Sequence, residues 1–230
     1  MRILAATCLL VAFIPLPATS QQDQKEQAPA LSTKPTTRKQ IWTLDATYSD
    51  EEHGVTFRYP RIWRATMQFG YHPPALTMSL EPIAGFGYRE GSFPRSQLVG
   101  PYSATNLEGF GIVYSAIPTA SAVECEAKAS SVSETSDADR ASTVVFGGRS
   151  FSVRETSAQG MSQSNSGELY AAYARPICYL FETDVSTSTA ASEVVGVARA
   201  LTPAQLRFIH AHLLTIMKSA RIMASGSKPE

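Results

Sequence analysis

The clearest pattern in the chain lies near its C-terminus, where apolar residues recur every three or four positions. This stripe consists of Leu206, Ile209, Leu213, Ile216, Met217 and Ala220. Thr202, Pro203 and Gln205 precede the stripe in the arrangement of a capping box with proline in the first turn. The spacing predicts an amphipathic helix, whose apolar side needs a hydrophobic surface to cover.

Runs of apolar and β-branched residues predict that this surface is a sheet. Gly147-Gly148 separates two such runs and is typical of a hairpin turn. Arg175-Pro176 separates a second pair of runs. The predicted strands cover residues 55–59, 76–83, 111–117, 143–146, 149–155, 169–174 and 177–185.

A second helical segment and three polar stretches complete the predicted outline. Residues 119–132 have moderate helical character, whereas residues 130–142, 156–167 and 186–192 are rich in serine and threonine and predict solvated loops. Strands joined by hairpins and covered by two helices are typical of an α+β fold. The length of 230 residues fits one substantial domain.

Residues 1–20 have the pattern of an export signal. Arg2 precedes an apolar run at 3–14, which is too short to span a bilayer of roughly 30 Å. Small residues at Ala18-Thr19-Ser20 favour cleavage before Gln21. We therefore expect a periplasmic or secreted mature protein with no transmembrane segment; an uncleaved anchor is the alternative.

Residues 21–40 contain almost no large apolar side chain and predict a disordered linker, followed by a folded domain at 41–224. The whole chain has 20 basic and 20 acidic residues. From Ile41 onward, 15 basic residues stand against 18 acidic ones, which is a net charge of −3. A weakly acidic domain is a poor binder of nucleic acid, so we expect none as a partner.

Two cysteines remain after cleavage, Cys125 and Cys178. An even pair in an exported chain predicts a disulfide. Two buried free thiols are the alternative, because cysteine also packs as a small hydrophobic residue. The chain has no CxxC spacing with a clustered histidine, so the sequence predicts no cysteine metal site.

The start of the predicted domain carries the run G-V-x-F-x-Y-P-x-x-W, from Gly54 to Trp63. This run resembles the opening of the PsbP-like family, which comprises the extrinsic photosystem II subunit and its bacterial relatives. The order of later elements is similar over roughly residues 45–222. The resemblance implies a single-domain α/β/α sandwich with a central, mainly antiparallel sheet. It also implies an accessory or assembly role without catalysis. The glycine- and proline-rich stretch 85–109 departs from a compact family core and predicts an extended insertion.

Few residues of the chain form a recognisable chemical motif, and no cofactor or metal is expected. His210 and His212 lie two positions apart on a predicted helix, so their rings diverge and cannot share one ion. The acidic run that ends at His53 is interpreted as a solvated turn before a strand. His72 stands in a loop beside Tyr71 and is the one histidine left as a candidate catalytic base.

The candidate ligand or partner surface consists of Trp63, Phe69, Tyr71 and His72, with core aromatics beside an exposed loop as the alternative. We expect an exported, non-enzymatic accessory or binding domain of the cell envelope, whose partner is an envelope protein or a small ligand. Two other classes stay open. One is a secreted hydrolase with an active site assembled from distant residues, and the other is a carrier of lipids or small molecules.

Overall fold

The computed structural model describes residues 37–65, 82–89, 100–102, 104–132, 141–159, 163–188 and 199–223. The helices in these ranges are α1 (Arg38–Trp42), α2 (Ala122–Val132) and α3 (Pro203–Ser219). The strands are β1 (Ala46–Asp50), β2 (Val55–Tyr59), β3 (Arg64–Ala65), β4 (Ala84–Arg89), β5 (Leu107–Pro118), β6 (Ser142–Phe146), β7 (Arg149–Gln159), β8 (Gln163–Ala174), β9 (Ile177–Ser188) and β10 (Arg221–Ile222). The predicted export segment and residues 76–81 of the strand predicted at 76–83 lie outside the described residues, and β4 begins only at Ala84.

The strands form two sheets. The larger sheet has seven strands in the order β3-β4-β5-β9-β8-β7-β6, and its neighbouring strands all pair antiparallel. The smaller sheet has the order β1-β2-β10. The fold is thus a mixed α/β structure dominated by a large antiparallel sheet, as the sequence predicted.

Alternate side chains of β9 point into two separate hydrophobic cores. Tyr179 and Phe181 pack in the larger core with the buried stripe of α3 and with residues of the small sheet. Cys178 and Leu180 pack in a smaller core with α2. Because side chains alternate along a strand, α2 and α3 cover opposite faces of the sheet.

Helix α3 forms where the sequence predicted it. The Thr202 hydroxyl accepts a hydrogen bond from the Gln205 backbone N–H, and the Gln205 side chain accepts one from the Thr202 backbone N–H. The stripe residues Ile209, Leu213 and Ile216 are buried against the sheet. The local signals for this helix, its cap and its period, therefore agree with its packing.

The prediction of loops at the serine- and threonine-rich stretches is largely wrong. Strand β7 continues to Gln159, β8 begins at Gln163, and β9 runs through Ser188. Thr156, Ser186 and Ser188 are buried in these strands. Hydroxyl side chains are compatible with strands when the backbone is paired on both sides, which composition alone does not reveal.

The predicted insertion at 85–109 is also wrong at both ends, because β4 occupies Ala84–Arg89 and β5 begins at Leu107. Gly85, Gly87 and Gly109, which contributed to that prediction, are strand residues. Further along β5, a Cβ added at Gly111 would lie 2.7 Å from the Phe86 carbonyl oxygen. Glycine is therefore required at this close approach of β4 and β5.

The predicted linker ends earlier than expected, because α1 begins within residues 21–40. The Thr37 hydroxyl accepts a hydrogen bond from the Gln40 N–H at 3.3 Å, and the Gln40 side chain completes a capping box. Ile41, near the end of this short helix, is fully buried. The residues of α1 therefore belong to the folded domain.

Cys125 on α2 and Cys178 on β9 form a disulfide, with sulfur atoms 1.96 Å apart and Cα atoms 5.2 Å apart. Both cysteines are buried in the smaller core. The bond fixes α2 on its face of the sheet. None of the helices in the described ranges has the length and apolar character needed to cross a membrane.

Leu213→Ala should lower the free energy of unfolding by about 2–5 kcal/mol, because it leaves a cavity between α3 and the sheet. Thr215→Ala on the exposed side of the same helix is the matched control, with an expected change within about 0.5 kcal/mol. Urea denaturation measures both. Equal stability of the two variants would show that α3 does not depend on its buried stripe.

Reduction of the disulfide should destabilise the domain by about 4 kcal/mol, the chain-entropy value for a sequence separation of 53 residues. The measurement is urea denaturation with and without a thiol reductant. The variant with both Cys125→Ala and Cys178→Ala should not respond to the reductant. Two titratable thiols in the oxidised, unfolded protein would contradict the assigned bond.

Candidate functional site

Trp63 belongs to the core and does not line a surface. Its side chain is 4% exposed, and its Nε1 donates a hydrogen bond to the Ile41 carbonyl at 2.9 Å. Its burial agrees with the alternative of core aromatics, and not with a place on the predicted ligand or partner surface. The other members of that surface, Phe69, Tyr71 and His72, lie outside the described residues.

Trp63 instead supports a second tryptophan that lies closer to solvent. The two indole rings meet edge-on, with centroids 5.9 Å apart. Trp42 also stacks on Phe110 at 4.5 Å with an angle of 13° between the planes. Since Phe110 is fully buried, the half-buried Trp42 ring rests on a rigid aromatic base.

Helix α3 adds two aromatic side chains beside Trp42. The His212 ring lies 4.7 Å from Trp42 and 4.1 Å from Phe208, measured between centroids. The His212 Nδ1 donates a hydrogen bond to the Phe208 carbonyl at 2.8 Å, which fixes the ring orientation. Positions 208 and 212 are one helical turn apart, so both rings lie on the same flank of α3.

One basic side chain contacts these rings, and two more are exposed on the same two helices. The Arg38 guanidinium lies 5.5 Å from the centroid of Tyr102 and 5.7 Å from that of Phe208, within the range of cation–π contacts. Lys39 and Arg207 are exposed. We call the group the α1–α3 surface; its residues are Arg38, Lys39, Trp42, Arg207, Phe208 and His212.

The sequence pattern did not predict the α1–α3 surface. Helix α1 has only five residues, too few to show a helical period, and its first three residues fell within the predicted linker. His212 is half-buried against Trp42, a contact between residues far apart in sequence. The usable signal was Trp42 itself, a large aromatic residue directly after a polar stretch.

A second polar cluster lies where the β1–β2 turn meets the large sheet. The Asp50 carboxylate accepts hydrogen bonds from His53 Nδ1 at 2.8 Å and from the Tyr114 hydroxyl at 3.3 Å. Tyr179 donates its hydroxyl to the His53 carbonyl at 2.9 Å. The expected turn is present with Glu51 and Glu52 exposed, whereas Asp50 and His53 are anchored to β5 and β9.

The phenol group of Tyr114 is held in its protonated form. Burial, and then the negative charge of Asp50, raise the pKa of Tyr114 far above its ordinary value. The same two causes raise the pKa of Tyr48. The His53–Asp50 pair thus has the geometry of an acid–base dyad, but the hydroxyl beside it is held in its neutral form, as a hydrogen-bond donor.

His210 and His212 do not come together as a ligand pair. Burial lowers the pKa of His210, and the nearby Glu168 carboxylate opposes that shift. Glu168 also accepts a hydrogen bond from the Tyr170 hydroxyl. The described part of the chain contains no group of three or more His, Cys, Asp or Glu residues able to hold a metal ion.

No protein-family model matches the chain. No curated protein matches it. Among solved structures, a protein from Bacteroides thetaiotaomicron is similar with a TM-score of 0.41 and 11% identity, covering 81% of this chain and 51% of that one. This chain therefore spans about half the length of that protein.

Two further solved structures are similar at the same low level. The Ran-binding protein Mog1p of Saccharomyces cerevisiae has a TM-score of 0.39 and 10% identity, covering 78% of this chain and 96% of its own. LpqN of Mycobacterium tuberculosis, which is involved in cell envelope biogenesis, has a TM-score of 0.38 and 9% identity. The match covers 77% of this chain and 90% of LpqN. At these values the function has to be argued from the residues of this chain.

Tyr114→Phe should reduce the loss of stability at alkaline pH. The folded state keeps the Tyr114 proton after the unfolded state has lost it, so stability falls as pH rises above about 10, by about 1.4 kcal/mol per pH unit. The variant should lose that contribution to the slope of the unfolding free energy against pH. Urea denaturation between about pH 9 and 11.5 measures the slope.

Asp50→Asn separates the two causes of the Tyr114 shift. Because burial is the larger cause, this variant should keep most of the alkaline slope. A slope that disappears in Asp50→Asn would mean that the carboxylate, and not burial, holds the Tyr114 proton. An unchanged slope in Tyr114→Phe would contradict the assignment altogether.

Proposed function

We propose that this chain is an exported, non-enzymatic domain of the cell envelope that binds a partner through the α1–α3 surface. The observation that carries the proposal is that surface: partly exposed aromatic rings and basic groups from two helices, on a buried aromatic base. Side chains of this kind, Trp and Arg above all, dominate the energetics of protein–protein interfaces.

The rigid support of the surface favours a role in binding. Trp42 is held in place by Phe110 and Trp63, and the His212 ring is fixed by its hydrogen bond to the Phe208 carbonyl. Rings that are already ordered lose little conformational entropy when a partner covers them. The surface is thus organised for binding before a partner arrives.

Export is supported by two independent features. The sequence of residues 1–20 has the pattern of an export signal. The Cys125–Cys178 disulfide is of a kind that persists in oxidising compartments and is rare in the cytosol. Together they favour a location outside the cytoplasm.

The chemistry around His53 supports a role without catalysis. A hydrolase that used this imidazole as its base would need a nucleophile whose pKa is lowered, or whose proton the base can take. Tyr114 has the opposite shift and directs its proton to Asp50. The cluster therefore fits an anchor between the two sheets better than an active site.

The test is cross-linking capture from an envelope extract of the native host. Phe208→Ala should reduce the captured partner several-fold, because Phe208 is 37% exposed at the centre of the surface. Val123→Ala is the matched control, since Val123 is 79% exposed on α2, which covers the opposite face of the sheet. Equal capture by both variants would refute the surface. Turnover of an ester or peptide that is lost in His53→Ala would refute the non-enzymatic role.

A further inference from the structure

We propose that the partner presents an acidic protein segment to the α1–α3 surface, with carboxylates on Arg38, Lys39 and Arg207 and an apolar side chain against Phe208 and Trp42. This inference rests on the proposed function and adds the chemistry of the partner. Its basis is the charge of the two helices. Neither α1 nor α3 contains an aspartate or glutamate, although the chain from Ile41 onward has a net charge of −3.

Helix stability does not explain the position of Arg38. Arg38 is the first residue of α1, where the helix dipole favours acidic side chains. The first turns of both α1 and α3 lack an acidic residue. A basic group at the start of a helix costs a little local stability, which is typical of residues that serve recognition.

Several basic residues elsewhere in the described chain have partners of their own. Lys128 and Arg154 make ion pairs with glutamates of α2, and Arg61 pairs with Asp45. Arg58 and Arg221 donate hydrogen bonds to backbone carbonyls.

Within the described residues, Arg38 makes only its two contacts with aromatic rings, and Lys39 and Arg207 make no ion pair. Their charges are therefore available to an anionic partner. An arginine fork can bind a carboxylate through two parallel hydrogen bonds, which favours acidic side chains over diffuse negative charge.

The apolar groups favour a protein segment over a membrane. Phe208 is the one exposed large apolar side chain among the described residues of the two helices, at 37%. Trp42 is half-buried and lies flat on Phe110. Helices that bind lipid surfaces insert a continuous apolar face into the bilayer, which these two helices do not present. A partner side chain can reach recessed rings where a lipid surface cannot.

The experiment selects random peptides displayed on phage against the purified, oxidised domain. We expect enrichment of sequences that combine Asp or Glu with an aromatic or aliphatic residue. One enriched peptide is then labelled with fluorescein, and its Kd is measured by fluorescence anisotropy. The variant with Arg38→Glu and Arg207→Glu should bind it about tenfold more weakly or worse, because like charges then face each other.

Arg175→Glu is the matched control. Arg175 is also an exposed arginine, at the turn between β8 and β9, and it makes no ion pair. This control should bind the peptide as the wild type does. Thermal denaturation followed by circular dichroism establishes that all three proteins are folded.

The possible outcomes separate this inference from the proposed function. Enriched peptides without acidic residues, whose binding is lost in Phe208→Ala, would overturn the acidic chemistry and leave the surface in place. Binding to phosphatidylglycerol vesicles that is lost in the Arg38→Glu, Arg207→Glu variant, with no acidic peptide enriched, would overturn the protein segment in favour of a membrane. No enrichment, together with unchanged cross-linking capture by Phe208→Ala, would overturn both proposals.

Discussion

The structure depends on the burial of β9 on both of its faces. A strand in the middle of a sheet can leave one face to solvent, but β9 alternates Tyr179 and Phe181 with Cys178 and Leu180, so both faces are apolar. Each face needs its own cover. Helix α3 and the small sheet cover one face, and α2 covers the other with the help of a disulfide. The remaining elements connect these covers or extend the sheet beneath them.

The elements that cover the two faces of β9 are held in place by different interactions. The Cys125–Cys178 bond holds α2, whose own core is small. The small sheet is held by aromatic packing and by the hydrogen bonds between its first turn and Tyr114 and Tyr179. Buried polar contacts of that kind contribute less net stability than apolar packing, but they fix one orientation of the turn. The result is an ordered face on which α1 and Trp42 can be positioned.

The sequence predicted those parts of the fold whose signals are local. Helix α3 carries its cap and its apolar period within 20 residues, and the hairpin at Gly147-Gly148 carries its turn. Strand ends rich in serine and threonine were missed, because pairing with neighbouring strands, including the distant β5, determines that they are extended. The candidate site was missed for the same reason. Trp42 and Phe208 meet across 166 positions of sequence, and no local pattern encodes that contact.

That separation has a consequence for the order in which the surface comes into being. During synthesis the residues of α1 emerge well before those of α3. Neither helix carries the site alone, since Trp42 needs Phe110 beneath it and His212 beside it. A partner that recognises this surface therefore distinguishes completely folded chains from partly folded ones. Recognition would then also act as a check on the completion of folding.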